Sequence, residues 1–378
     1  MSLRIGIAGA GIGGLSAALA LSQQGHQVSV YERAQELNRV GADVNLTPNA
    51  VSALDGLGCG ERLRDLGARP TFRISRDGIS GEELSRLPMS DAAQEKYGAP
   101  QLTIHRADLL TTLLAALPPA TLHLNQAVAG VSHHPDNSVL TFTDKTVKSF
   151  DLVVGADGIH SVVRDALFGP DEPGFTGLVS YRAVFCREDA PELKDTDAFT
   201  KWWGDTPDLQ IVTFPLTRGK EIFVFATTPA ENWTEEGWTL PGDVTALRKA
   251  YAHFHPDARA LLAACREVTC SALHVREPMS AWSIGHTTLL GDAAHPMVPF
   301  MAQGACMAIE DAVILSRAMA GTQDSDVEIA LSRYEAARRS RTATVQRMSL
   351  ENEWMKKPGN ADWLYGYNAW ETGLTDAA

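Results

Sequence analysis

Gly9, Gly11 and Gly14 stand in a G-x-G-x-x-G pattern, and an acid, Glu32, closes the next apolar segment. Glycines at this spacing serve phosphate binding. Gly9 permits a tight turn, Gly11 lets a pyrophosphate approach the backbone, and Gly14 lets a helix pack closely on a strand. A carboxylate at Glu32 is placed to accept hydrogen bonds from a ribose. Two further acids keep similar company. Asp157 precedes Gly158, and Asp292 lies in Gly291-Asp292-Ala-Ala-His295-Pro296. The second runs on through a Pro-rich loop with Pro299 into a helix opened by Gly304, Ala305 and Cys306. Its carboxylate can accept from sugar or ribityl hydroxyls, and the helix N-terminus can stabilise negative charge on a ring oxygen or nitrogen. Arg106, at the start of another helix, can pair with a surface carboxylate or reach cofactor phosphates; the local sequence weighs these equally.

The elements around these residues follow from patterning. Residues 3–8 form a short buried strand, 15–24 a helix closed by Gly25, and 27–31 a second strand, which completes a dinucleotide fingerprint. The fingerprint alone does not choose between FAD and NAD. A further strand at 151–155 leads through Asp157-Gly158 to a helix ending near Phe168. It offers one usable glycine, so no second complete fingerprint exists. Thr47-Pro48-Asn49 reads as a capped helix start. Residues 70–105 read as short strands, Asp108 as the cap of a helix over 109–117, and 121–150 as hairpin strands. From 175 to 228 the pattern predicts four strands, at 178–187, 197–204, 209–216 and 220–228, in an inserted antiparallel sheet. Its inner face, expected to carry Tyr181, Trp202, Trp203, Val212 and Phe214, could wall an apolar pocket, although alternation turns only half of such residues inward. The last helix, about 326–350, carries arginines expected on a solvated face. The tail is too aromatic for disorder and is expected to pack on the body or on a second subunit.

With 378 residues the chain has room for two domains, or for one with a large insertion. A formal charge of −13 argues against nucleic-acid and anionic-membrane partners. No apolar run is long enough to span a bilayer, and the start is a strand without signal-peptide layout, so a cytoplasmic protein is expected. Five cysteines without C-x-x-C pairing read as reduced thiols, and the histidines show no metal spacing, so no metal centre is expected.

Taken together, Gly9–Gly14 with Glu32, Gly155-Ala-Asp157-Gly158 with Ser161 and Arg164, and Gly291–Pro296 make the chain resemble the single-component FAD-dependent aromatic hydroxylases, typified by p-hydroxybenzoate hydroxylase. His105-Arg106, Lys201-Trp202-Trp203, Met301–Asp311 and Tyr365-Gly366-Tyr367 are similar to the 6-hydroxynicotinate 3-monooxygenase and salicylate hydroxylase branch. The resemblance implies a mixed α/β fold: a Rossmann-like FAD-binding domain in three parts (1–70, 101–174 and 276–350), an antiparallel-sheet substrate domain (71–100 and 175–275), and an aromatic tail (351–378) after the C-terminal helices. It implies that Gly9, Gly11 and Gly14 hold the FAD pyrophosphate and Glu32 the adenosine ribose. Arg33 would lie beside the adenine, and Arg39, Asn45, Arg106 and Val128 would also contact FAD. Asp157 and Gly158 would serve FAD and NAD(P)H, and Asp292 the ribityl-pyrophosphate region. Pro299, Gly304, Ala305 and Cys306 would line the isoalloxazine.

The implied reaction has NAD(P)H reduce FAD, O2 add as a C4a-hydroperoxide, and an electron-rich phenol or hydroxypyridine ring attack the distal oxygen. The chain departs from its nearest branch in three places. That branch has His where this chain has Asn45, Tyr near Val212 and His near Phe300. An amide is no general base at neutral pH. The expected catalytic set is therefore Asn45, Pro299 and His295, the last an alternative titratable group or a structural one. The expected substrate set is Tyr181, Trp202, Val212, Phe214 and Phe300, suited to a flatter or more apolar ring than 6-hydroxynicotinate. No basic pair is placed to read a 2′-phosphate, which leans to NADH. A monomer or homodimer is expected. The alternatives are another flavin-dependent oxidoreductase or a binding protein that uses the fold without redox chemistry. The W-x-W-x-I-P stretch of flavin halogenases is absent.

Overall fold

The strand Arg4–Ala8 lies inside a six-stranded sheet. On one side it pairs in parallel with Gln27–Tyr31 and through it with Leu122–His123. On the other it pairs with Leu152–Gly155 and through it with Thr287–Leu289; all four of these pairings are parallel. Only the edge strand Ser283–Ile284 runs antiparallel. Ile5, Ile7, Leu152 and Val154 are wholly buried, as a parallel sheet covered on both faces requires. The computed structural model describes residues 2–37, 43–231, 233, 235, 237, 239–323, 326–354, 356 and 361–374.

One face of this sheet carries the helices Ile12–Gln23 and Gly304–Ala318, which are buried along most of their length. Their approach is close. A Cβ on Gly13 would lie 3.2 Å from the Ala308 methyl and 2.6 Å from Leu290 Cδ2. The other face carries a three-stranded antiparallel sheet of Val128–His134, Asn137–Phe142 and Val147–Phe150. Phe150 lies against Gly6, where a Cβ would come within 2.7 Å of the ring.

The second large layer is an eight-stranded sheet drawn from two stretches of chain. Leu240–Pro241, Thr269–Val275, Gly174–Cys186, Glu221–Pro229, Gln210–Leu216 and Phe199–Trp203 follow one another across it. Phe72–Asp77 and Glu83–Pro88 complete the edge, and Phe72–Asp77 joins Phe199–Trp203 in parallel. The helices Val244–Ala250 and Pro256–Ala264 cover one face, where Trp202, Ile211, Tyr251 and Phe254 form a core.

Local structure departs from expectation at four points. Residues 91–97 form a short helix inside a stretch read as strands. The helix Arg106–Ala116 begins ahead of Asp108, which sits in its first turn with His105 at the cap position. Thr47 precedes the helix Pro48–Gly56 without a side-chain cap bond, because its hydroxyl donates to Asn49 Oδ1 at 2.6 Å. On the long helix Val327–Glu351, Arg333, Arg339 and Arg347 are exposed as expected, but Arg338 is fully buried. The described part of the tail packs on the body: Trp370 Nε1 donates to the Ala53 carbonyl at 3.1 Å. Among the described residues no helix is long and apolar enough to cross a membrane.

Candidate active site

The glycine turn has the shape its spacing requires. Gly9 has φ +97°, and a Cβ there would lie 2.5 Å from the Ala156 carbonyl oxygen. A Cβ on Gly14 would lie 2.0 Å from the Gly9 oxygen, so strand and helix meet only because both lack one. At Gly11 an added Cβ meets nothing within 4 Å. The backbone there borders open space, and Gly11 makes no side-chain cap for the helix N–H groups that follow. Glu32 accepts from the backbone N–H of Ala10 and of Ala34, both at 2.9 Å. These bonds fix the carboxylate at the strand end and leave lone pairs for further donors. Arg33 beside it is exposed, and Val128 is half-buried at the start of its strand. Arg39 and Gly41 lie outside the described residues.

Asp157 organises the next loop. It accepts from Ser161 Oγ at 2.5 Å and from the Val163 N–H at 3.2 Å, while Ser161 caps the following helix through the Arg164 N–H at 2.9 Å. Burial pushes the Asp157 carboxyl above its ordinary range. Past Gly158, Ile159 and His160 line a cleft shared with Asp292, Pro296, Pro299, Arg182 and Ser271.

Asp292 lies open to that cleft yet deep among protein atoms. Burial pushes its pKa up, against the opposing pull of His295 and Arg106. Its Oδ1 lies 3.9 Å from where a Gly304 Cβ would stand, so acid and helix start share one corner. Arg106 is half-buried, and no hydrogen bond or ion pair holds it among the described residues. Burial lowers its pKa, and only the more distant charges of Asp292 and Asp43 act against this. Asp43 itself is pushed up to about 6 by burial, opposed by Arg182, His105 and Arg106.

The helix Gly304–Ala318 begins without a side-chain cap because Gln303 is engaged elsewhere. Its amide donates to Thr47 Oγ1 at 2.9 Å and accepts from Asn49 Nδ2 at 3.4 Å. The first-turn N–H groups at Gly304, Ala305 and Cys306 thus have no side chain over them. The Cys306 thiol is turned inward, donating to the Asn45 carbonyl at 3.4 Å, and burial pushes its pKa up to about 11. What Cys306 can offer a ligand is its backbone. Asn45, on the strand Val44–Leu46, is buried, and its Oδ1 accepts from Gln101 Nε2 at 2.7 Å. That bond fixes the amide's orientation, and its Nδ2 donor makes no hydrogen bond among the described residues.

His295 is fully buried and engaged through one ring nitrogen, while its Nδ1 has no hydrogen-bond partner among the described residues. Its Nε2 lies 2.6 Å from Asp311 Oδ2, and Asp311 Oδ1 accepts from Arg338 Nε at 2.7 Å. Arg338 Nη1 reaches Glu310 at 2.6 Å, and Glu310 also accepts from Asn49 and Arg341. The buried network clamps the loop after Asp292 to both C-terminal helices. Of the two readings open for His295, titratable group or structural one, this geometry favours the structural.

Strand register decides the pocket wall. Val212 pairs with Lys201 and Phe225, and Phe214 with Phe223, so these side chains share one face. Phe199 and Phe300 join that cluster. Tyr181 pairs with Ala226 and Trp202 with Ile211, which puts both on the opposite face under the helices. Trp202 stacks there on His255 at 6.2 Å. Tyr181 and Trp202 therefore leave the expected substrate set, while Val212, Phe214 and Phe300 stay together. Sequence reasoning placed Lys201 in a shared stretch but assigned it no role in the site. The signal was present in Phe199-x-Lys201-x-Trp203, where alternation sets a charge between two aromatic residues on one apolar face.

Residues 2–349 match the FAD binding domain family. The chain is similar to 6-hydroxynicotinate 3-monooxygenase of Pseudomonas fluorescens, 37% identical over 380 residues that cover 99% of this chain and 97% of that protein. The chain belongs to the FAD-dependent aromatic monooxygenases. The monooxygenase is also 34% identical to a 3-hydroxybenzoate 6-hydroxylase of Polaromonas naphthalenivorans, over 96% of this chain and 95% of that one. Among solved structures it resembles a salicylate hydroxylase substrate complex, at 25% identity and TM-score 0.85, covering 97% and 96% of the two chains. The residues fit the cofactor of this family. The open flank of Gly11, two uncapped helix starts and an unpartnered Arg106 are the donors that a dinucleotide with anionic phosphates and a polar ring needs. The enzyme is a flavoprotein of a family that uses NAD(P)H.

Proposed function

We propose that this monooxygenase hydroxylates a small phenol or hydroxypyridine ring held against Val212, Phe214, Phe225 and Phe300, with NADH preferred over NADPH as reductant. The observation that carries this reading is the shared face of those four residues, which ends at Phe300, directly after Pro299 of the cleft. Bound FAD supplies the redox and oxygen chemistry. The chain's own residues bind and orient. The N–H groups after Gly11 and the Arg106 guanidinium receive the pyrophosphate, and Glu32 accepts from the adenosine ribose with Arg33 beside the adenine. Asp292 accepts from the ribityl hydroxyls. Pro299 and the backbone of Gly304–Cys306 border the flavin ring, where the helix start favours negative charge. Asn45 donates towards the same region. The apolar wall excludes water and places the substrate ring flat, which is the protein's share of the rate.

The resemblance implies titratable side chains in the 6-hydroxynicotinate branch at Asn45 and near Val212 and Phe300, so the favoured substrate is flatter or more apolar than 6-hydroxynicotinate. The reduced thiols and acidic surface suit a cytoplasmic enzyme, as monomer or homodimer. The test is NADH oxidation by the FAD-loaded enzyme against a panel of hydroxybenzoates and hydroxypyridines, with peroxide recorded. One compound is expected to speed oxidation with little peroxide. If nothing stimulates a flavin-loaded enzyme, the substrate class is wrong. Tight binding of 6-hydroxynicotinate with coupled turnover overturns the preference for a more apolar ring.

A further inference from the structure

Lys201 shares the sheet face of Val212, against which the substrate ring is proposed to lie, in surroundings that suit no ordinary lysine. Its side chain is buried, and its Nζ lies 3.7 Å from the centre of the Trp203 ring and 5.9 Å from that of Phe300. Its one hydrogen-bond partner among the described residues is neutral, Asn352 Oδ1 at 2.8 Å. The charged groups facing it from the packed elements are both cations. Arg73 comes from the adjacent strand Phe72–Asp77, where its Nη1 donates to the Tyr365 hydroxyl at 2.7 Å, and Lys356 follows the long C-terminal helix. No carboxylate approaches Lys201 among the described residues. An ammonium placed there would be buried, without a carboxylate partner and repelled by two cations, all of which favour the neutral amine; the Trp203 ring face and the Asn352 oxygen act in the opposite sense. Burial accordingly drives the Lys201 pKa well below that of a free lysine, with Arg73 and Lys356 pushing the same way. A neutral amine has a lone pair.

The wall holds no rival base among its described residues. Val212, Phe199, Phe214, Phe223, Phe225 and Phe300 do not titrate, and Arg182, which shares the face through its pairing with Phe225, keeps its proton. We propose that Lys201 is the catalytic base of this site, taking the proton of the substrate's ring hydroxyl at Nζ. The hydroxyl O–H bond breaks with its electron pair left on oxygen, and an N–H bond forms on Nζ. Net charge does not change. The ring gains the oxyanion that makes it nucleophilic, and the oxyanion supplies the counter-ion that the ammonium otherwise lacks. This rests on the ring-hydroxyl substrate class proposed above.

The test reads proton transfer without turnover. FAD-loaded wild type and Lys201→Met are titrated with 4-nitrophenol in lightly buffered solution, below the probe's own pKa. Absorbance reports its ionisation and a pH indicator reports protons released. Wild type is expected to bind the probe as phenolate with no proton released, because the proton stays on Lys201. Lys201→Met is expected to bind it as the neutral phenol. Methionine matches the volume and removes a buried amine, so folding is not at stake, and Lys201→Arg serves as second variant. A guanidinium is always charged, so Lys201→Arg should bind phenolate and release about one proton per site. Wild type that releases a proton, binds the neutral phenol or binds neither form overturns the proposal. So does a Lys201→Met enzyme that loses benzoate as readily as the phenol, since Lys201 would then be a carboxylate anchor. With a turnover substrate, kcat of Lys201→Met should fall about 100-fold, and its pH profile should follow the ionisation of the free hydroxyl. A wild type that ionises the probe yet hydroxylates no ring of the panel leaves Lys201 standing and removes the substrate class proposed above.

Discussion

Asp311 Oδ2 lies 2.6 Å from His295 Nε2, and both side chains are wholly shielded from solvent. The same carboxylate accepts from Arg338 Nε and from the Gly291 N–H. One acid thus ties the helix Gly304–Ala318 to the loop that carries Asp292 and to the C-terminal helix. Asp311→Ala should cost about 3–5 kcal/mol, because it leaves the buried His295 Nε2, Arg338 Nε and Gly291 N–H without their acceptor, although Glu310 still pairs with the guanidinium; urea denaturation of the apo-protein measures this.

The same carboxylate predicts an acid limb. Burial alone would raise the Asp311 pKa, but His295 and Arg338 hold it below the usual carboxylate range. A carboxyl depressed in the folded state adds stability above its unfolded pKa, and that stability is lost as pH falls through the folded value. The melting temperature should therefore fall at pH values below the ordinary carboxylate range, and this slope should flatten in Asp311→Asn.

Gly11 and Gly14 should separate folding from cofactor binding. A Cβ on Gly11 meets no protein atom, so Gly11→Ala should leave the apo melting temperature unchanged and weaken FAD about tenfold or more, a loss of about 1.4 kcal/mol. Gly14→Ala drives a methyl into the Gly9 carbonyl and should lower apo stability as well. Calorimetry and flavin fluorescence on both variants read the two effects. Equal apo stability would remove the packing role of Gly14.

Arg106 has no hydrogen bond to lose within the described protein. Arg106→Ala should leave the apo-enzyme as stable or slightly more so, and should cost FAD about 1.5–3 kcal/mol, as loss of a hydrogen bond to a charged group does. An unchanged FAD affinity would return Arg106 to the surface reading.

The two faces of the large sheet predict opposite kinetics. Val212→Ala and Phe300→Ala should raise KM for the ring substrate severalfold. Trp202→Phe, a change under the helices, should lower stability and leave KM alone. A KM change with Trp202→Phe would mean that the register does not define the pocket.

Local patterns were enough to name the residues proposed for the cofactor end of the site. The turn at Gly9–Gly14, Glu32 at its strand end, and the strand, loop and helix around Asp292 each lie within a few dozen residues. Their roles follow from rules of short range. The substrate end depends on pairing over distance. Alternation in Lys201-Trp202-Trp203 defines two faces but does not say which meets the cofactor; the register with Val212 and Ile211 decides it. Arg338 looked like one of several surface arginines because Glu310 and Asp311, which bury it, lie on another helix. Thr47 gave up its capping role to Asn49 and Gln303 for the same reason: the competing partner was remote.

The large sheet also constrains how the chain is made. The strand Phe72–Asp77 takes its inner neighbour from residues 199–203, and Thr71 meets Asp197, 126 positions later. During synthesis the 72–88 hairpin must wait for that neighbour with an open edge. Contacts of such separation slow folding, and an unpaired edge invites association with other nascent chains. Yield in the cell should thus depend on chaperone supply more than the finished enzyme's stability would suggest.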